Sequence, residues 1–208
     1  MELLYADDTL LVCVKPAGVL SEDRGADSMP ALLRAEVGGS IGVVHRLDRP
    51  VGGVMVFSRD PGMTGALTKT FSETGEKTYL AVVSGDPGNG GVMEDLLYHD
   101  TRTNKTFVVK RMRAGVRQAR LRFEKCRSEQ IDGQTLSLVR VTLETGRTHQ
   151  IRTQFASRGM PIVGDRRYGS RVRADGIALW SAQISFDHPA DGRRLTFKKD
   201  PPADFPLR

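Results

Sequence analysis

The sequence predicts an α+β protein built on a mainly antiparallel sheet. Segments with the alternating or continuously apolar pattern of strands outnumber the segments with helical periodicity. Many neighbouring strand segments are close enough in sequence to pair as hairpins, which favours antiparallel pairing. With 208 residues the chain is long enough to bury a sizeable core, and we predict a single, two-lobed domain over residues 1–208.

Two helices are predicted among the strands of the first half. Ser28 is an N-cap signal for a short helix that ends at Gly38. Asp60 is interpreted as the N-cap of a second helix, with Pro61 in its first turn and Gly75 at its end. The strands predicted in this half cover residues 9–14, 54–58 and 77–84.

The second half is predicted to be mostly strands with one further helix. The stretch ARLRFEK alternates, which places its arginines on one face and Leu121 with Phe123 on the other. Thr148 is the predicted cap of a helix that runs through Arg158. The predicted strands cover residues 91–97, 106–110, 117–126, 135–143, 177–186 and 193–197.

The distribution of charge indicates an anionic partner. The formal net charge is +6, and residues 99–127 hold ten cationic side chains against two acids. Such a surface is either solvated or binds phosphates, and the uneven mixture of signs favours a phosphate-binding face. The residues that we assign to it are Arg111, Arg113, Arg117 and Arg120.

Several classes of protein receive no support. No apolar run is long enough for a membrane span, and acids stand where a secretory signal would be basic, so a cytoplasmic protein is expected. Cys13 and Cys126 are expected to be free thiols, although the sequence leaves a disulfide open. His45 and His149 lack ligand spacing, so no metal is expected. Phosphate-binding glycine loops and the G-x-S-x-G motif are both absent from the sequence.

The stretch VHRLDRPVGG holds one carboxylate, Asp48, among His45, Arg46 and Arg49. It follows a short apolar segment and precedes two glycines, so we expect it on a loop at a strand end, where catalytic groups are often carried. An ion pair with a neighbouring arginine or a capped turn is the structural alternative.

Two later stretches hold further candidate residues. Tyr79 lies on an alternating strand, where its ring is either core or part of a site. Arg147 stands just before a helix, and a guanidinium there could hold a carboxylate through two hydrogen bonds. Within that helix Ile151 and Phe155 share a face, whereas Arg152 projects differently. The structural alternative for this stretch is a capped amphipathic helix with a solvated arginine.

In combination and order, three stretches resemble the motifs of the RluA-type pseudouridine synthases: VHRLDRPVGGVMVFSR, EKTYLAVVSG and LETGRTHQIRTQFASRGMPIVGDRRYG. The opening LLYADDTLLVCVKPAGVL and the ending GIALWSAQISFDHPADGRRLTF extend the resemblance over nearly the whole chain. It implies a curved, mixed, mainly antiparallel sheet with an active-site cleft across it. It also implies an enzyme that isomerises uridine in RNA to pseudouridine and needs no metal or organic cofactor.

The resemblance also implies residue roles. Asp48 matches the essential aspartate, Arg147 the arginine that pairs with it, and Tyr79 the tyrosine that lines the uracil pocket and is a candidate base. Arg46 matches the arginine that fills the gap left by the flipped nucleotide, and Ile151 an apolar position near the uracil. Asp48 could attack C1′, stabilise an oxocarbenium-like centre or remove the C2′ proton, and the sequence leaves these routes open.

The expected partner is a stem-loop of ribosomal or transfer RNA, with no membrane, no obligatory protein partner and a monomeric chain. Because the sequence begins close to the catalytic motifs, we expect no S4 RNA-binding domain. The alternative is a non-catalytic RNA-binding or chaperone protein on the same fold, which would not need the aspartate, tyrosine and arginine. The sequence departs from the family's motif at one place: residues 51–53 are Val-Gly-Gly, where many relatives carry Thr-Ser-Gly.

Overall fold

The computed structural model describes residues 1–207, which form eleven strands and three helices in two compact units. The first unit comprises Met1–Lys77 and Trp180–Asp200, and the second comprises Thr78–Leu179 with the segment that starts at Pro201. The mixed, mostly antiparallel strands confirm the predicted α+β class. Within residues 1–207, no helix combines the length and the apolar character that a membrane crossing requires.

The first unit is built on a mixed sheet. Its strands are β1 Glu2–Ala6, β2 Leu10–Lys15, β3 Gly42–Val43, β4 Gly52–Ser58, β10 Leu179–Asp187 and β11 Arg194–Lys198, and its helices are α1 Met29–Val37 and α2 Thr64–Thr74. Strand β2 pairs antiparallel with β1 and β4, while β10 lies parallel to β4 and antiparallel to β11.

Strand β4 is buried along its whole length, which explains its continuous apolar sequence. Val54 and Val56 share one face and pack with Leu67 and Phe71 of α2. Phe186 of β10 meets the ring of Phe71 edge to face, with centroids 5.4 Å apart. This cluster is the core of the first unit, and the loop that carries Asp48 leads directly into β4.

The glycine pair at the start of β4 is required by close packing against β10. A Cβ atom on Gly52 would lie 2.5 Å from the indole ring of Trp180. Gly53 has φ +124° and would meet the backbone of Ser181. The indole fills the space that a side chain at position 52 would need, which explains why this residue is glycine and carries no hydroxyl.

The second unit is an antiparallel sheet with one helix on a face. Its elements are β5 Glu76–Ser84, β6 Gly90–Asp100, β7 Lys105–Val109, β8 Val116–Ile131, β9 Gln134–Leu143 and α3 Gln150–Ala156. The strand order is β5-β9-β8-β6-β7, with β7 at an edge. The Phe155 ring of α3 packs edge to face on Phe123 of β8, with centroids 5.5 Å apart.

The cap predicted at Ser28 is confirmed, because its side chain accepts from the backbone N–H of Ala31. The cap predicted at Asp60 is wrong: α2 begins at Thr64, and the Asp60 carboxylate accepts from Gly62 in the preceding turn. Thr148 is also not a cap, since α3 begins after His149, which has the left-handed φ of 54°. Strands β1 and β3 were not predicted.

Candidate active site

The loop that carries Asp48 is fixed on both sides of the carboxylate. The Ser21 hydroxyl donates to the carbonyl of Leu47 (2.6 Å) and accepts from its N–H (3.0 Å). On the other side Gly18 and Arg49 exchange two hydrogen bonds, from the Gly18 N–H to the Arg49 carbonyl and from Arg49 Nε back to the Gly18 carbonyl (both 2.8 Å). Asp48 is half-buried between these two anchors. A loop acid held in this way loses little conformational freedom when it meets a substrate.

Lys15, at the end of β2, is fully buried beneath this loop. Its Nζ donates to the carbonyls of Pro16 (2.9 Å), Val19 (2.7 Å) and Arg49 (3.1 Å), which matches the three donors of an ammonium group. Burial lowers the pKa of Lys15 to about 8, and the nearby Asp48 carboxylate opposes this shift. The ammonium therefore places positive charge beside Asp48 at neutral pH.

Arg46 lies on the exposed side of the same loop. Its side chain is 64% exposed, and Nη1 contacts Oε1 of Glu22 at 2.8 Å. An ion pair this exposed adds little stability and is easily exchanged for another anion. Its exposure suits the predicted contact with RNA, which stays a prediction.

His45 serves the fold as a neutral side chain. Its Nε2 accepts from the N–H of Val56 (3.1 Å), and its ring stacks on Phe71 with centroids 4.5 Å apart. Burial and the nearby Lys77 ammonium lower the pKa of His45 to about 3. Protonation would remove the acceptor and place charge against the core.

This arrangement predicts an acid-sensitive component of stability. The pKa of His45 is lower in the folded state than its ordinary value of 6.5, so the unfolded chain binds more protons between pH 6.5 and about 3. Stability contributed by neutral His45 is present above pH 6.5 and lost as pH falls towards 3. We expect the free energy of unfolding, measured with urea, to decrease less in His45→Gln than in the wild type as pH falls from 6.5 towards 3. Parallel pH curves for the two proteins would contradict this.

Tyr79 and Ile151 are both buried in the second unit. Tyr79 lies on β5 and is 6% exposed, and Ile151 lies in the first turn of α3 and is 4% exposed. Both side chains are therefore shielded from water, as expected of positions that line a pocket for a uracil ring. Their contact with substrate stays a prediction.

Arg147 is positioned by the turn between β9 and α3. Its Nε donates to the carbonyl of Gln118 on β8 (2.9 Å), and its backbone N–H donates to Oε1 of Gln150 (3.0 Å). Gln150 is buried, and its Nε2 donates to the carbonyl of Arg120, so its amide ties the turn to the sheet. Asp48 belongs to the first unit and Arg147 to the second, and the ion pair between them stays a prediction.

A hydrogen-bond network that the sequence did not reveal holds the left-handed residue His149. Its Nδ1 lies 2.9 Å from the hydroxyl of Tyr168, which also accepts from the N–H of Thr106 (2.8 Å). The hydroxyl of Thr106 donates to the carbonyl of Thr148 (2.9 Å). A positive φ is costly for histidine, and these contacts maintain it two residues after Arg147.

Arg152 is buried, so the structural alternative of a solvated arginine does not hold at this position. Its side chain is 6% exposed and forms a bidentate pair with Asp165, through Nε at 2.7 Å and Nη2 at 2.9 Å. The Tyr168 ring lies 5.0 Å from its guanidinium carbon. Arg152 therefore holds the segment after α3 against the helix.

The four arginines predicted as one basic face do not share a face. Arg120 lies opposite Glu94 in the register and Arg117 opposite Leu97, so the two arginines, three positions apart on β8, point to opposite sides. Arg120 is also paired with Glu94 and Glu144, which offset its charge. Arg111 and Arg113 remain exposed in the loop before β8.

Comparison with known proteins decides the family. The RNA pseudouridylate synthase family model matches residues 9–157, well over half of the chain. The chain belongs to this family. It is therefore an RNA pseudouridine synthase, an isomerase.

Individual relatives agree with the family. The chain is 30% identical to ribosomal large subunit pseudouridine synthase D of Pseudomonas aeruginosa, over 99% of this chain and 69% of that protein. It is 32% identical to the dual-specificity RNA pseudouridine synthase RluA of Vibrio parahaemolyticus, over 90% of this chain and 78% of that one. The structure of human RNA pseudouridylate synthase domain containing 1 superposes with TM-score 0.81 and 21% identity, covering 97% of this chain and 83% of that one. This last match shows the same fold.

The sequence named the candidate residues of this pseudouridine synthase but missed the groups that hold them. Lys15 gave only a weak signal, because it ends an apolar strand but lysine side chains are rarely fully buried. Ser21 gave no such signal, since Leu47 lies 26 residues away, and nothing local indicated the contact of Gln150 with Arg120, 30 residues away. Among residues 1–207, no group of His, Cys, Asp and Glu has the arrangement of a metal site.

Proposed function

We propose that this pseudouridine synthase modifies uridine in large-subunit ribosomal RNA, with Asp48 as the essential carboxylate. The observation that carries the proposal is the Asp48 loop, which is fixed by Ser21 on one side and by Lys15 and Gly18 on the other. The relative from Pseudomonas aeruginosa, which aligns with 99% of the chain, supports the choice of RNA.

In the proposed reaction the target uridine leaves its stack, which costs a few kcal/mol. Arg46 occupies the gap. The N1–C1′ bond breaks, the uracil rotates, and a C5–C1′ bond forms. C5 loses a proton and N1 gains one, so the product is an isomer of the substrate. Asp48 either attacks C1′ or removes the C2′ proton.

The remaining residues have supporting roles in this proposal. Arg147 pairs with the Asp48 carboxylate and orients it through its guanidinium. Tyr79 packs against the uracil and takes the proton from C5, while Ile151 provides an apolar wall. A single carboxylate suffices because the base is retained, whereas glycoside hydrolysis uses a second acid to protonate a departing group.

The substrate is tested by mapping pseudouridine in cellular RNA with and without the gene, by carbodiimide labelling and primer extension. We expect one or a few positions in large-subunit ribosomal RNA to disappear and to return with the wild-type gene. The purified chain should then modify a transcript of that region. Transfer RNA is the second candidate, and loss of a position there instead would reassign the substrate. Unchanged maps of both RNAs would contradict the proposed function.

A further inference from the structure

The β6–β7 hairpin carries an aromatic pair of one half-buried ring, Tyr98, and one exposed ring, Phe107. Tyr98 of β6 and Phe107 of β7 are directly opposite in the register, so both rings point to the same face. Phe107 is 43% exposed although it lies in the middle of a strand. Val108 and Met112, next along the chain, are 37% and 56% exposed. The apolar exposure is therefore concentrated at this edge of the second unit.

Each of the two rings has a cation beside its face. The guanidinium carbon of Arg113 lies 4.9 Å from the Tyr98 centroid, and Nζ of Lys105 lies 5.7 Å from the Phe107 centroid. A guanidinium stacked on a ring presents a second planar surface to an incoming group. Rings and cations together are the combination that binds unpaired nucleotides.

The charge around the rings is almost entirely positive. Residues 100–113 contain five cations and one acid, Asp100, which already contacts Arg102. Within residues 1–207 Lys110, Arg111 and Arg113 form no ion pair, in contrast to Arg120 on the neighbouring strand. These three cations follow β7 directly and remain available to phosphates.

We propose that the outer face of the β6–β7 hairpin is a stacking platform for an unpaired base of the substrate RNA. The base stacks on Phe107, beside the Tyr98–Arg113 pair, and the phosphates of the same strand contact the loop from Lys110 to Arg113. The proposal takes its RNA partner from the proposed function. Duplex RNA is excluded from the rings because its base faces are already stacked.

A protein strand is the less suitable occupant of this edge. Lysines at both ends of β7, Lys105 and Lys110, place charge where an added strand would have to pair. The same charges attract a nucleic-acid strand, because its phosphates run along the outside.

The platform is tested by RNA binding of Phe107→Leu and Phe107→Trp, with Ile131→Ala as the control for an exposed apolar residue at the far end of β8. The probes are a ribosomal stem-loop, a 12-nucleotide oligouridine and a duplex of the same length. Phe107→Leu should weaken binding to both unpaired probes about 10-fold, because the stacking face is lost. Phe107→Trp and Ile131→Ala should bind within about twofold of the wild type.

Salt dependence separates stacking from charge. Phe107→Leu should leave the slope of log Kd against log salt unchanged. Arg111→Ala should reduce that slope by about one, the change expected when one phosphate contact is lost. Equal affinities of the leucine and tryptophan variants would overturn the platform. Self-association of the wild type in sedimentation that Phe107→Leu abolishes would also overturn it, in favour of a protein interface. If Phe107→Leu weakens RNA binding but the wild type forms no pseudouridine in any RNA, the proposed function is rejected and the stacking platform is not.

Discussion

Replacing Asp48 with asparagine is expected to abolish pseudouridine formation while RNA binding persists. The amide keeps the size of the side chain and its place between Leu47 and Arg49, but it can neither attack C1′ nor accept a proton from C2′. We expect turnover of a ribosomal stem-loop to fall at least about 10³-fold. Affinity for the same RNA should change by less than about 10-fold, since the basic loop after β7 is untouched.

The matched control is Asp60→Asn, another loop acid of the first unit. Asp60 uses Oδ1 to accept from Gly62, a bond that the amide oxygen preserves. This variant should turn over normally. Full activity of Asp48→Asn would refute the assignment of Asp48 as nucleophile or base, and equal loss in both variants would point to a general effect on the fold.

The second large effect is expected at the buried pair of Arg152 and Asp165. Asp165→Ala leaves the Arg152 guanidinium buried without its bidentate carboxylate, because both side chains are almost inaccessible to water. We expect the free energy of unfolding to fall by about 3–5 kcal/mol, measured by urea denaturation followed by circular dichroism.

Two further variants serve as controls for Asp165→Ala. The exposed pair of Arg34 and Asp23 is also bidentate, so Asp23→Asn removes similar geometry in water and should have a far smaller effect. Replacing Arg152 and Asp165 together by Met and Leu should restore much of the stability, because no uncompensated charge remains. A neutral result for Asp165→Ala would mean that the site admits water or that the segment rearranges.

Local patterns in the sequence predicted most elements of the fold. Strands such as β4 were found because their burial on both faces requires an unbroken apolar run. Strands β1 and β3 were missed because β1 is largely exposed and β3 is two residues long, so neither has a clear pattern. The opposite orientation of Arg117 and Arg120 followed from the period of two and could have been predicted.

For the candidate site, too, local patterns identified some residues and missed others. The order of the motifs identified Asp48, Tyr79 and Arg147, which are local features of the chain. What was missed depends on contacts between distant segments. The left-handed residue His149 contacts Tyr168, nineteen residues later, and the buried Arg152 pairs with Asp165, thirteen residues later. No pattern within one helix contains that information.

The fit of Gly52 against Trp180 links two positions that are 128 residues apart in the chain. A serine at position 52, as in relatives with the hydroxyl-bearing motif, would collide with the indole. A chimera that imports only that motif therefore inherits a steric conflict, while one that also replaces Trp180 with a small residue does not. Since the Trp180 Nε1–H donates to the carbonyl of Lys199 (2.8 Å), the smaller residue would also remove this hydrogen bond. The two positions are thus expected to evolve together.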